Sequence, residues 1–310
     1  MDAEFNGTYI TLGGYVELDK YRYLYFVILL TLYILILCTN CTIICLIWIH
    51  RNLHEPMYIF IAALSLNSVL FSTAIYPKLF IDVLSQKQNI SHSACMFQYF
   101  ICYSLGISDF LLLSAMAYDR YVSICKPLQY PTIMGKMTVT VFLTLAWFLP
   151  ASQLGVTTVI NSKQKLCDFT TGGFFCNNKI FRLHCVKSTV LNVYGLFIML
   201  NFIVVPVIFI LFTYIKIFII TYRKCVEIRR KAAETCLPHL MVLMCFSCLS
   251  VFDIITARLE SDIPKSVRSV MTLLIFVYNP LFNPIIYGVK MKEISKHIKR
   301  LLCHLVTKSL

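Results

Sequence analysis

The chain alternates long apolar runs with short polar connections. Residues 23–49 and 57–77 carry no charge, 96–118 carry only Asp109, and 137–162 and 188–215 carry none. Residues 235–252 hold only His239 besides apolar, hydroxyl and thiol side chains, and 269–289 are uncharged. A helix needs about 20 apolar residues to cross a bilayer, so the pattern predicts seven spans. The spans must be helices, because lipid cannot satisfy open backbone groups. A membrane β-barrel would show short alternating segments, which these runs do not. After the seventh span, Ile294, Ile298, Leu301 and Leu302 recur at helical spacing, with Lys and His on the other face. That stretch predicts a short amphipathic helix lying along the inner membrane surface. The expected fold is an all-α membrane protein, a seven-transmembrane helix bundle with a short amphipathic C-terminal helix. Its expected parts are an extracellular tail (1–22), a membrane domain (23–289) and a cytoplasmic helix and tail (290–310).

Charge then orients the bundle. One set of connections holds Arg51, then Arg120, Lys126 and Lys136, then Arg223 to Lys231, then Lys290 to Arg300. By the positive-inside rule this set is cytoplasmic. The other set holds the acidic N-terminus, the loop around Asn89, the loop 163–187 and the Glu260/Asp262 loop. Loop 163–187 is itself basic and departs from the rule. The sequons Asn6-Gly7-Thr8 and Asn89-Ile90-Ser91 both fall on the outer side and read as glycosylation sites. Asn40-Cys41-Thr42 falls inside the first span and is expected to stay unmodified. The polar, acidic beginning (Asp2, Glu4, Glu17, Asp19) is unlike a cleavable signal, so the first span is expected to serve as its own insertion signal.

Composition agrees. The 310 residues are 58% hydrophobic and 14% charged, against about 25% charged in soluble domains; the mean hydropathy is +0.75. No linker divides the chain. A net charge of +13 would suggest nucleic acid in a soluble protein, but here it sits at span ends, so membrane lipids are the expected partner and nucleic acid is not. The sequence shows no nucleophile–base pair, phosphate loop or metal spacing, so neither an enzyme nor a cofactor is expected. The histidines (His50, His54, His92, His184, His239) look scattered and structural. Of 14 cysteines, Cys95, Cys167, Cys176 and Cys185 lie on the outer, oxidising side, where disulfides form; four cysteines allow three pairings. Cys303, at the end of the amphipathic helix, is a candidate palmitoylation site.

Asp109 lies mid-membrane, and an intramembrane acid is a functional candidate. With Ser68 and Asn283 it is expected to form a polar cluster able to hold water, a proton or Na⁺. Pro150, Pro206, Pro238, Pro280 and Pro284 each remove a backbone donor and can kink a span.

The most specific string is Met116-Ala117-Tyr118-Asp119-Arg120-Tyr121-Val122-Ser123-Ile124-Cys125. It resembles the signature of odorant receptors, in the rhodopsin-like G-protein-coupled superfamily, with Ser123 where the family has Ala. Leu53-His54-Glu55-Pro56-Met57-Tyr58 resembles the family's first inner loop. Asn40, Trp147, Pro206 and Tyr214 fall at marker positions of the first, fourth and fifth spans. Lys231-Ala232, Thr235-Cys236 and His239-Leu240 resemble the start of the sixth, and Pro280-Leu281-Phe282-Asn283-Pro284-Ile285-Ile286-Tyr287 the seventh-span motif. The resemblance covers nearly the whole chain, and the fish type is the expected branch. One departure is Ser68, where most relatives carry Asp.

The resemblance implies the pairings Cys95–Cys176 and Cys167–Cys185. It also implies a receptor for small-molecule odorants in the plasma membrane of an olfactory sensory neuron, N-terminus outside, raising cAMP through a stimulatory heterotrimeric G protein. Asp119, Arg120, Tyr121, Tyr214, Asn283, Pro284 and Tyr287 would form its switch. Bundles of this kind bind ligands in a cavity between helices. The outer halves of the spans nominate Cys102, Tyr103, Gly106 and Ile107, then Ile198, Met199 and Phe202, then Ser250, Val251 and Ile254, then Leu273 and Phe276. Arg258 is a candidate carboxylate anchor, since a guanidinium pairs bidentately with carboxylates. A non-olfactory amine or peptide receptor is the alternative, disfavoured because Cys102 stands where an amine receptor carries its acid. A transporter or channel would show repeats and several intramembrane charges, and Asp109 alone is present.

Overall fold

A computed structural model describes residues 9–15, 18–186, 188–222, 230, 236–237, 240–252 and 264–309. The helices are α1 (Leu18–Ile49), α2 (Pro56–Leu84), α3 (His92–Cys125), α4 (Lys136–Ser162) and α5 (Thr189–Tyr222). They are followed by α6 (Leu240–Phe252), α7 (Lys265–Val277, continued by a π turn Tyr278–Phe282 and by Asn283–Lys290) and α8 (Lys292–Ser309). Among the described residues six helices are long and apolar enough to cross a membrane, and α6 is a shorter apolar helix.

α3 is the axis of the bundle. In α3, 61% of the most apolar stretch is buried, against 22% in α1 and α4 and 17% in α5. It packs on α2, α4 and α5. α5 instead exposes Ile208, Phe212, Ile215 and Ile219, a stripe at helical spacing that suits lipid. The outward threonines are satisfied by their own helices: Thr31, Thr39, Thr42 and Thr73 donate to carbonyls one turn back at 2.7–2.8 Å, so these hydroxyls do not meet hydrocarbon unpaired. Pro77 and Pro150 sit inside unbroken helices. Near Pro206 and around Pro280 the helix instead widens into π turns, Leu200–Val204 and Tyr278–Phe282, a local response to a missing donor. Pro238 lies outside the described residues.

Two helices overrun the boundaries expected from hydropathy. α1 begins at Leu18, with a non-helical residue at Tyr21 (φ −118°, ψ 18°). α2 continues past Pro77 and carries Lys78 and Asp82 on its last turns. Asp82 is buried and ion-pairs with Lys78 one turn away, which lowers the cost of taking either charge out of water. Tyr15 donates to Asp82 at 3.4 Å, and Lys78 donates to the Asn89 carbonyl at 3.0 Å. Burial, then the Asp82 carboxylate, pushes the Tyr15 phenol well above its ordinary range.

The outer face carries a small sheet. Strand β1 (Tyr9–Leu12) lies between β2 (Asn89–Ser91), antiparallel, and β3 (Thr170–Thr171), parallel. Ile10 and Leu12 point inward with Ile90, Cys95, Cys176 and Ile180, as the two-residue period of a strand dictates. Asn89, the expected glycan carrier, pairs in this sheet, and its side-chain oxygen accepts from Thr11 Oγ1 at 3.1 Å; Asn6 lies outside the described residues.

α8 departs from the expected division of faces. Ile294 is buried and Ile298 packs on the core, but His297 is buried with them rather than facing away. Position 297 is three residues from Ile294, so helical periodicity itself puts it on the packed face. Its ring lies 3.8 Å, centroid to centroid, from that of His50 at the end of α1. Likewise His92 and His184 approach to 6.2 Å on the outer side. Four of the described histidines thus stand in two pairs, His50 with His297 and His92 with His184.

Candidate functional site

A cavity of about 90 Å³ opens between α2, α3, α5, α6 and α7. Its walls are mostly apolar: Phe71, Phe110, Phe246 and Phe276 with Ile107, Ile203 and Ile275. Phe175, from the loop after α4, closes it on the outer side, stacked edge-on to Phe276 at 4.8 Å. That loop is pinned by covalent and polar ties. Cys176 is bonded to Cys95 at the head of α3, and Cys167 to Cys185 within the loop. The Cys176 N–H donates to Gln98 Oε1 at 3.2 Å, and the Asn178 N–H donates to the Tyr103 hydroxyl at 3.2 Å.

The nominated lining residues divide. Cys102, Tyr103, Gly106, Ile107, Ser250 and Phe276 line the cavity. Ile198 and Phe202 instead pack with Tyr99, Ile107 and Leu154 between α3, α4 and α5, Met199 and Leu273 are not on the wall, and Val251 is 47% exposed on the outside of α6. The reason is rotational: sequence depth places a residue at the right height but does not say which way its helix turns it. Ile254 and Arg258 lie outside the described residues. Hydropathy missed Phe71, Phe110, Phe175, Ile203, Phe246 and Asn279. For Phe175 a signal existed, since it precedes the bonded Cys176.

Asp109 lies on this cavity's floor with Ser68, Thr272 and Asn279. Its hydrogen-bond partners are not Ser68 and Asn283 but Asn67, which donates to Oδ1 at 2.8 Å, and Asn279, which donates to Oδ2 at 2.9 Å. Trp147 Nε1 donates to Asn67 Oδ1 at 3.0 Å. The chain Trp147–Asn67–Asp109–Asn279 thus joins α4, α2, α3 and α7. The expected cluster keeps Ser68, which shares the floor with Asp109 without hydrogen-bonding to it, and gains Asn67 and Asn279; Asn283 lies a turn deeper than Asn279 and is not on the wall. Ser68 Oγ and both polar atoms of Asn283 are buried without a hydrogen-bond partner, as is the Tyr287 hydroxyl. Asn40 donates to the Ile36 carbonyl at 2.8 Å and to the Pro280 carbonyl at 2.7 Å, tying α1 to the π turn of α7.

At the inner end Asp119 is fully buried. Arg120 donates to its Oδ2 through Nη2 at 2.8 Å and Nε at 3.2 Å, and the Tyr130 hydroxyl donates to Oδ1 at 2.8 Å. Tyr130 belongs to a short helical turn after α3, Tyr130–Ile133, and was not foreseen. Tyr214, Tyr287 and Cys236 share the core cluster around this pair, with Tyr121 packed at its border. The arrangement has no nucleophile–base geometry among the described residues. It has an outer apolar cavity, a polar chain through the middle and a held charge at the inner end.

The family model for olfactory receptors matches residues 29–305. The chain belongs to the olfactory receptor family. Human olfactory receptor 11A1 is 32% identical over 98% of this chain and 96% of its own length. Human olfactory receptor 10J4 is 33% identical over 91% of each, and human olfactory receptor 10AG1 is 33% identical over 95% of this chain and 98% of its own. The match spans cavity, polar chain and Arg120 alike. This olfactory receptor is a multi-pass membrane protein with a seven-transmembrane bundle, and it is not an enzyme.

Proposed function

We propose that the receptor binds a small odorant in the cavity beneath Phe175 and passes the event inward to a stimulatory, olfactory-class heterotrimeric G protein, raising cAMP. The carrying observation is that the cavity and the polar chain share a residue: Asp109 forms part of the cavity floor and hydrogen-bonds across α2, α3 and α7. A ligand touching that floor bears on helices that meet again around Arg120. Activation is a population shift. An odorant with equal affinity for both states shifts nothing, so it must fit the active bundle better. In that state Arg120 leaves Asp119, and the inner end opens for the G protein. The basic connections at Arg51, Lys126 and Lys136 support placing this end in the cytoplasm of a plasma-membrane receptor with its N-terminus outside. The exposure of Cys303 on α8 supports reading it as an acylation site at the inner surface.

The test is a cell line lacking odorant receptors of its own. Expressed there with a stimulatory G protein, the receptor is expected to raise cAMP on odorant addition and to fall silent when that G protein is deleted. Movement of ions or solute with the G protein deleted would reverse the reading in favour of a transporter or channel.

A further inference from the structure

The cavity floor holds an acid that no base partners among the described residues. Among the described residues the ion pairs are Asp19–Arg22, Asp82–Lys78 and Asp119–Arg120; Asp109, only 5% exposed, is in none of them. Each of its oxygens accepts one amide hydrogen, which uses about half of a carboxylate's roughly four acceptor sites. Beside it, Ser68 Oγ and Asn279 Oδ1 are buried and without a hydrogen-bond partner, and both residues line the cavity. Three residues with acceptor capacity to spare therefore border one cavity. A buried charge is stable when it is paired, and the group that would pair here is a donor bearing positive charge.

The walls suit the rest of such a ligand. Phe71, Phe110, Phe246 and Phe276 surround the space, with Phe110 and Phe246 stacked at 4.5 Å. Aromatic faces are negative and attract cations, while the same rings take up an alkyl chain. The volume, about 90 Å³, suits a compact ligand.

We propose that the receptor's ligand class is small protonated amines, with the ammonium seated on Asp109, Ser68 and Asn279 and the alkyl part among the phenylalanines. This rests on the odorant-receptor reading above. Cys102 does stand where an amine receptor's acid would be sought, but Asp109 lies about two turns further in on the same face of α3, and both line one cavity. The absence of an acid at position 102 therefore does not exclude amines. A sodium ion would satisfy the same acceptors but has no apolar part to lie against the rings beside them, so the two occupants are separated by removing sodium.

The experiment compares n-butylamine, 1-butanol and butyric acid on the full-length receptor in the cAMP assay, in sodium medium and in medium with sodium chloride replaced by sucrose. The amine is expected to act at a concentration lower than the alcohol by roughly 10- to 100-fold, the range of a charge-assisted hydrogen bond. That preference should persist without sodium, and in Asp109→Asn the amine and alcohol values should converge. Equal potency of amine and alcohol in the wild type overturns the inference whatever the fate of the variant. So does a preference that Asp109→Asn leaves intact at measured surface expression, or one that disappears when sodium is removed. A response to butanol or butyric acid that butylamine does not exceed overturns the amine class alone. Silence to these and to a broad odorant panel overturns the receptor reading and this inference with it.

Discussion

Asp119→Asn is expected to raise cAMP in the absence of any odorant. The Asp119 carboxylate is fully buried and accepts two bonds from Arg120 and one from Tyr130. An amide keeps the shape and removes the charge, so Arg120 loses the partner that holds it in place. Removing one member of a buried pair costs about 3–5 kcal/mol. If that cost falls on the inactive state alone, even the lower figure multiplies the ratio of active to inactive receptor by roughly two orders of magnitude. Tyr130→Phe removes one donor to that carboxylate, worth about 1.5–3 kcal/mol, and should give a smaller rise. The measurement is basal cAMP normalised to surface receptor. An unchanged basal level in Asp119→Asn would mean that the pair does not restrain the switch.

Cys176→Ser is expected to cost the receptor most of its surface population and its odorant response. Cys176 and Cys95 are fully buried, and their bond joins positions 81 residues apart. Their neighbours are Ile10 and Leu12 of β1 and Ile90 of β2, so the bond anchors the outer sheet and the adjoining Phe175. Loss of a native disulfide of this kind costs about 2–5 kcal/mol. Cys167→Ser opens a loop of 18 residues that remains hydrogen-bonded through the position-167 N–H to the Leu183 carbonyl at 2.8 Å. Its effect should be smaller, because loop-closure entropy grows with loop length. Surface labelling and odorant dose–response in the two variants check the order. Equal losses would place the structural weight on the loop as a whole instead of on its tie to α3.

Much of the bundle is readable from the chain because lipid imposes a simple rule: about twenty apolar residues with internally satisfied backbone. The rule weakens where polar groups satisfy each other. Lys78 and Asp82 end the second span in a hydropathy count, yet they pair within one helix face and the helix runs on to Leu84. Strand β1 is four residues, too short to carry a period, and its partners are far away in sequence, at Asn89–Ser91 and Thr170–Thr171. Site depth was legible in Tyr103, Gly106 and Phe276; rotation was not, which is why Phe202 and Ile198 face α4 instead of the cavity. The acid at Asp109 stood out as a lone intramembrane charge. Its true partners, Asn67 and Asn279, did not, because an amide in an apolar run looks the same whether it bonds to its own helix, as Asn161 does to the Thr157 carbonyl at 2.7 Å, or across the bundle.

The central claim is an odorant sitting in the cavity beneath Phe175, and Gly106 offers its most direct test. Gly106 lines that cavity, and a Cβ placed there meets no atom within 4 Å. The first carbon of a side chain at this position therefore has open space and the rest is directed at the cavity that Gly106 lines, and leucine is also a better helix former than glycine by roughly 0.5–1 kcal/mol. Odorant dose–response in Gly106→Leu, at surface expression matched to wild type, is the measurement. A large loss of odorant potency with basal cAMP still measurable is the expected result; a Gly106→Leu receptor that answers odorants as wild type does would contradict the claim.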